Sequence, residues 1–191
     1  MRRAKHTFLA SRLRGLASTI CGAIAIFLTA LSISSAEEPD FSAEDVLQGV
    51  VGSHEACSGS GKVWVEVDGH GDCLRFYGPQ TSSRAQPPLI FLEGDVVEQS
   101  QPRTNPPTWQ VLDSYRRLSP AIMQLGADQV SAATARTFIL LARPGIYGSS
   151  GNHLQRRRER EVALVNGAVD LLKKRFGWSS IDLSGLSIKA S

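Results

Sequence analysis

Three short stretches of this sequence hold the makings of a reaction site, and each follows an apolar run. Glu93-Gly94-Asp95 comes directly after Leu89-Ile90-Phe91-Leu92. A glycine there permits close backbone approach, and the amides after it could point into a cleft, although an ordinary strand-to-loop turn uses the same residues. Arg143-Pro144-Gly145-Ile146-Tyr147-Gly148-Ser149-Ser150-Gly151 follows Thr137-Phe138-Ile139-Leu140-Leu141-Ala142 and precedes a helical stretch. Glycines ahead of a helix suit a phosphate cradle, but their spacing is neither G-x-G-x-x-G nor a P-loop, and no Lys-Ser/Thr follows. Gly185-Leu186-Ser187-Ile188-Lys189 follows a third, shorter run, Ser180-Ile181-Asp182-Leu183.

Two cysteines are the other reactive groups. Cys57 and Cys73 flank Lys62-Val63-Trp64-Val65-Glu66-Val67 and then Asp68-Gly69-His70-Gly71-Asp72, which alternates and then turns as a hairpin does. A disulfide would close a loop of about 15 residues, worth about 3 kcal/mol in chain entropy. The alternative is a zinc site with His54 and His70, but the ligands do not fall at finger or ribbon spacing, and the disulfide is preferred.

The compartment follows from the N-terminus. Residues 1–36 hold Arg2, Arg3, Lys5, Arg12 and Arg14 and no acid. A basic stretch, an apolar run from Gly15 to Ile33 and then Ser34-Ser35-Ala36 have the three-part form of a secretory signal, with cleavage expected after Ala36. The rival is an uncleaved anchor, since the run is long enough to span a bilayer. Removing the signal would remove Cys21 and leave an even pair in an oxidising compartment, periplasmic or extracellular, with no stable membrane association. The chain has 191 residues with 42% hydrophobic side chains and a formal charge of +3, which suits one globular domain. Outside the signal, 16 Lys and Arg face 18 Asp and Glu, so the body is slightly acidic and gives no argument for nucleic acid.

Strands alternating with helices would carry the three stretches. After the hairpin, whose second strand is taken as Cys73–Tyr77, loops are expected over Gly78–Pro88 and Gln99–Pro107. A helical stretch spans Val111–Leu118. Ser119-Pro120 starts the next helix, with Ile122, Leu125, Val130 and Ala133 at helical spacing. A long helix over Leu154–Phe176 has Val162, Val165, Val169, Leu172 and Phe176 as its apolar face and Gly177 as its stop. Its Arg156-Arg157-Arg158-Glu159-Arg160-Glu161 run reads as a solvated face. His54, His70 and His153 read as exposed turn residues, and Trp64, Trp109 and Trp178 as core or edge packing. Strand–helix alternation implies parallel pairing and an α/β class.

Taken in order, these stretches resemble the α/β-hydrolase superfamily of serine esterases, lipases and peptidases, over about Cys57 to Ser187. Leu92-Glu93-Gly94-Asp95 is similar to its His-Gly oxyanion turn, with Glu93 in place of His. Arg143–Ser150 is similar to its R-P-G-Y-G-x-S turn, with Ile146 inserted. Ser187, two residues after Gly185, stands where G-x-S-x-G places the nucleophile. The resemblance implies that Ser187 attacks an ester or amide carbonyl of a small-molecule or peptide substrate, with the backbone N–H groups of Asp95 and Ile188 as the oxyanion hole and no cofactor or metal.

The family's chain order is Ser, then Asp or Glu, then His. Four residues follow Ser187, none of them acidic or His, and Lys189 replaces the second glycine. The expectation is a signal peptide (1–36), a lead segment (37–56) and a partial α/β-hydrolase domain (57–191), cut just after the nucleophile turn. Its later strands would be missing, and it would be inactive as given. The alternative expectation is a non-catalytic exported α/β domain, with a binding role or none.

Overall fold

The computed structural model describes residues 38–80, 86–101 and 106–186. The expected signal segment and Ser187, Ile188 and Lys189 lie outside the described residues. Among the described residues, no helix is long and apolar enough to cross a membrane.

A short helix, α1 (Ala43–Gln48), opens the described chain, and Ser42 caps it by accepting the Glu44 and Asp45 amides. Its Val46 is fully buried and Val50 bridges Gly151, so the segment read as a lead packs into the same body as the hairpin and the later strands. The expected hairpin forms as β1 (Lys62–Val67) and β2 (His70–Tyr77). Its turn is two residues, Asp68 and Gly69, both with positive φ, where the sequence suggested five. Both central residues need φ > 0 in the tight turn whose twist matches the strands, and Asp-Gly supplies that. Strand β2 therefore starts at His70, three residues before the expected Cys73. The Cys57 and Cys73 sulfurs lie 2.04 Å apart with Cα atoms at 5.5 Å. Bonded to each other, those thiols are no zinc ligands. Among the described residues no three His, Cys, Asp or Glu side chains gather where a metal could sit.

Next come β3 (Leu89–Leu92), β4 (Val97–Gln101), β5 (Thr108–Val111), α2 (Asp113–Arg116), α3 (Pro120–Thr134), β6 (Phe138–Leu141), α4 (Glu159–Phe176) and β7 (Asp182–Gly185). Strands β4 and β5 pair antiparallel as a second, separate hairpin, in a region expected to be largely loop. Polar Glu98, Gln99, Ser100 and Gln101 conceal it, because only Val97 and Val111 of its ends are buried.

The main sheet is mixed, in the order β1-β2-β6-β3-β7. Strands β1, β2 and β6 are joined antiparallel, and β6, β3 and β7 parallel. Helices flank both faces. On one, Val46, Tyr115, Met123 and Ala127 cover Tyr77, Leu140 and Ala142. On the other, Leu164, Val165, Ala168 and Leu172 cover Val63, Val65, Leu74, Phe76, Ile90, Ile139 and Leu141. The two-residue period of a strand sends Ile139 and Leu141 to one face and Leu140 to the other.

Ser119 and Pro120 start α3 as expected, the Ser119 hydroxyl accepting the Ile122 N–H. The buried stripe is not the expected one. Met123 and Ala127 face the sheet, while Ile122, Leu125 and Val130 are exposed. Helix α4 begins at Glu159, five residues later than expected. It buries Leu164, Val165, Ala168 and Leu172, and leaves Val162 exposed. Gly177 ends it with positive φ, as its sequence suggests.

Candidate functional site

The chain leaves β3 at Leu92 and returns as β6 through α3, on one face of the sheet. It leaves β6 at Leu141 and returns as β7 through α4, on the other face. Neighbouring parallel strands whose connections depart to opposite faces leave a crevice at their carboxyl ends, where ligands of open α/β sheets collect. Two of the three stretches singled out from sequence, Glu93–Asp95 and Arg143–Gly151, start at that crevice. The third starts one strand over: Gly185 is in register with Leu92, and the Leu186 N–H reaches the Leu92 carbonyl at 3.1 Å.

Charged side chains of the chain itself converge at the crevice. Arg143 Nη1 donates to Asp95 Oδ1 at 3.0 Å, and Arg143 Nε to Glu161 Oε1 at 2.7 Å. Arg157 donates to Asp95 Oδ2 at 2.7 Å. Arg156 Nε lies 3.0 Å from the same oxygen without hydrogen-bond geometry, and its guanidinium stacks 4.6 Å from the centre of the Trp109 ring. Asp95, Arg143, Arg156 and Glu161 are all nearly buried. Burial by itself would raise the Asp95 carboxyl, but Arg156 and Arg143 outweigh it and hold it below its ordinary value. Neighbouring Glu93 goes the other way, raised by burial and only partly relieved by the Gly94 N–H.

The Arg156–Glu161 run is only in part the solvated face its composition suggests: Arg157, Arg158 and Glu159 are exposed, whereas Arg156 and Glu161 are nearly buried. Glu161 is the third residue of α4 and its Oε2 accepts the Arg157 N–H just ahead of the helix, a reach-back that fixes where α4 starts. Arg160 donates to Asp72 at 2.8 Å and to the Val67 carbonyl, tying α4 to the hairpin. Arg156 and Glu161 are nearly buried because they lie against the carboxyl ends of β3 and β6, a relation that composition does not encode.

His153 corrects the sequence reading most directly. It sits on a 3-10 turn (His153–Gln155) and is fully buried, where an exposed turn residue was expected. His54 and His70 are exposed, as expected. His153 Nε2 accepts the Val96 N–H at 3.4 Å, and Nδ1 has no partner among the described residues. Burial, reinforced by the Arg143 and Arg156 charges, pushes its pKa down to about 4. A glycine-rich turn at a strand end, followed at once by charges of both signs, was the signal that could have drawn attention to His153, Arg156 and Glu161.

The glycine-rich turn is also used internally. Ser150 Oγ accepts the Cys73 N–H at 2.7 Å and lies 3.1 Å from Asp72 Oδ1, and Ser149 Oγ accepts the Arg75 N–H at 2.9 Å. The turn leads into the 3-10 segment rather than into α4. That spends its hydroxyls on β2 and separates its glycines from the α4 dipole, against a phosphate cradle.

A cavity of about 250 Å³ lies elsewhere, between the 38–42 segment and the Gly145–Ser149 turn, with Phe41, Arg75 and Tyr115 in its wall. Glu38 closes on Arg75 there in a two-pronged ion pair, and Arg75 stacks over the Tyr77 ring at 5.0 Å.

Of the residues the sequence marked for chemistry, Asp95 is at the crevice with its carboxylate engaged, and Ser187 and Ile188 lie outside the described residues. No protein-family model matches the chain, and no curated protein or solved structure is significantly similar to it.

Proposed function

We propose that this is an exported protein related to the α/β-hydrolases, with Ser187 as nucleophile toward an ester or amide carbonyl and the Asp95 and Ile188 amides as its oxyanion hole. One observation carries the reading. The three stretches that resemble family motifs, far apart in sequence, leave the carboxyl ends of three adjacent parallel strands, β6, β3 and β7, with Gly185 alongside Leu92. Such a nucleophile needs a base held by a third group. In the family these groups follow the nucleophile, and no acidic or histidine residue follows Ser187 among the 191.

A second reading, a non-catalytic exported α/β domain, has its own support. The crevice between β3 and β6 is occupied by the Asp95–Arg143–Glu161 pairs and by His153, which leaves less room for a substrate.

A fluorophosphonate probe separates the two. It is applied to this chain alone and to the chain extended by whatever the downstream DNA encodes. Silence is expected for the chain alone. Labelling of the extended chain that disappears in Ser187→Ala supports the hydrolase. Silence in both, or a downstream sequence without an Asp- and His-bearing continuation in any frame, favours the non-catalytic domain.

A further inference from the structure

We propose that His153 is a positioning residue: its neutral ring, carrying its proton on Nδ1, fixes the Glu93–Val96 loop by accepting the Val96 N–H at Nε2. Val96 is buried, so its N–H needs an acceptor inside the protein. A ring nitrogen accepts only through a free lone pair, which leaves the proton of the neutral ring on Nδ1. Among the described residues no acceptor meets that Nδ1, and the Val96 N–H is the contact that sets the tautomer. The bond is long, 3.4 Å, but the residue is fully buried, and Gly145 fits so closely against the His153 backbone that a Cβ there would lie 2.4 Å from its nitrogen, which fixes the backbone the ring hangs from.

The charged groups that face the ring come from every element around it. Arg143 follows β6, Arg156 precedes α4, Asp95 follows β3 and Glu161 is on α4. The two carboxylates favour a protonated ring, but both are already engaged by arginines, and the two cations and burial oppose it. A protonated ring would set an N–H against the Val96 N–H. The loop is thus held at two consecutive points, the Asp95 carboxylate by Arg143 and the peptide between residues 95 and 96 by His153. Together these restrict the backbone of Asp95. The consequence for an oxyanion-binding amide there rests on the hydrolase reading, whereas the latch itself does not.

The test is amide hydrogen exchange in the full chain, read by mass spectrometry on peptides covering residues 93–97, with 138–142 in β6 as internal reference. In His153→Phe, which fills the space without an acceptor, exchange over 93–97 is expected to accelerate at least tenfold while 138–142 is unchanged. His153→Gln, whose amide oxygen can accept, is expected to recover part of the protection. Equal rates in all three proteins would overturn the proposal. If the Phe variant does not fold, nitrogen NMR of the ring decides, in a full chain carrying His6→Gln, His54→Gln and His70→Gln. An Nδ1–H tautomer at neutral pH supports the latch; an Nε2–H tautomer overturns it, because that nitrogen cannot then accept. Failure of the fluorophosphonate experiment would remove the hydrolase reading and leave both of these results standing.

Discussion

Asp95 is held by Arg143 inside the crevice and by Arg157 at its rim, two arginines in different surroundings. The Asp95 and Arg143 side chains are 10% and 12% exposed, whereas Arg157, which binds the same carboxylate, is 61% exposed. Removing Arg143 takes from the nearly buried Glu161 the cation it pairs with, whereas Asp95 keeps Arg156 and Arg157; stranding a buried charge costs about 3–5 kcal/mol, while an exposed pair contributes about 0–1 kcal/mol. Arg143→Ala is therefore expected to lower unfolding stability by about 3 kcal/mol or more in urea titrations, and Arg157→Ala by less than about 1 kcal/mol. His153 gives the pH dependence. Its folded pKa of about 4 lies below the ordinary 6.5, so the unfolded chain binds the extra proton first as pH falls. Its contribution is complete above about pH 6.5 and is lost on the way down to about pH 4, on the order of 3 kcal/mol in all. Asp95, held low, adds a loss at still lower pH; Glu93, held high, contributes in the opposite sense. Urea titrations at pH 7, 6 and 5 should show the decline, and His153→Gln should flatten it.

Among the elements, periodicity announces a helix more reliably than it says which side is buried. Ile122, Leu125, Val130 and Ala133 do recur at helical spacing, yet α3 turns Met123 and Ala127 to the sheet. Apolar residues are spread around much of α3, so its orientation is decided by the small Ala127 and the flexible Met123 fitting over β6 and its neighbours. In α4 the sequence identified Val165 and Leu172 and missed Leu164 and Ala168, an error of phase by about one residue. Two glycines report the same dependence on surroundings. Gly145 has φ +77° and no space for a Cβ, whereas Gly126 on α3 has nothing within 4 Å. Gly145→Ala is expected to cost about 2 kcal/mol or more through strain and overlap. Gly126→Ala should stabilise by about 0.5–1 kcal/mol through helix propensity. Thermal unfolding of the two variants, moving in opposite directions, checks both.

Across the molecule, both faces of the sheet are covered by helices, whereas the β7 margin is exposed among the described residues. All four residues of β7 are exposed, with Leu183 at 56% and Leu186 just beyond it at 59%. Asp182, paired with Arg136, puts a charge at the start of that strand. An exposed strand margin with apolar side chains templates pairing with another chain. The protein is expected to self-associate as its concentration rises, and Leu183→Lys to suppress this. Light scattering across a dilution series reads the effect, and identical scattering for both proteins would contradict it.

The local elements were legible in the order of residues alone. The alternation over 62–67 and the turn residues after it specified a hairpin, though not its two-residue turn, Ser119-Pro120 a helix start, Gly177 a helix stop, and two unbroken apolar runs the central strands. Each depends on backbone preferences within a few residues, which a chain carries wherever it folds. Packing in three dimensions settled the rest: which helix face is buried, that polar residues 98–101 pair with β5, and that Asp95, Arg143, His153 and Glu161 meet. Those outcomes depend on bringing residues about 20 to 70 apart to one sheet end, where the loss of water turns an ordinary run of charges into a buried network.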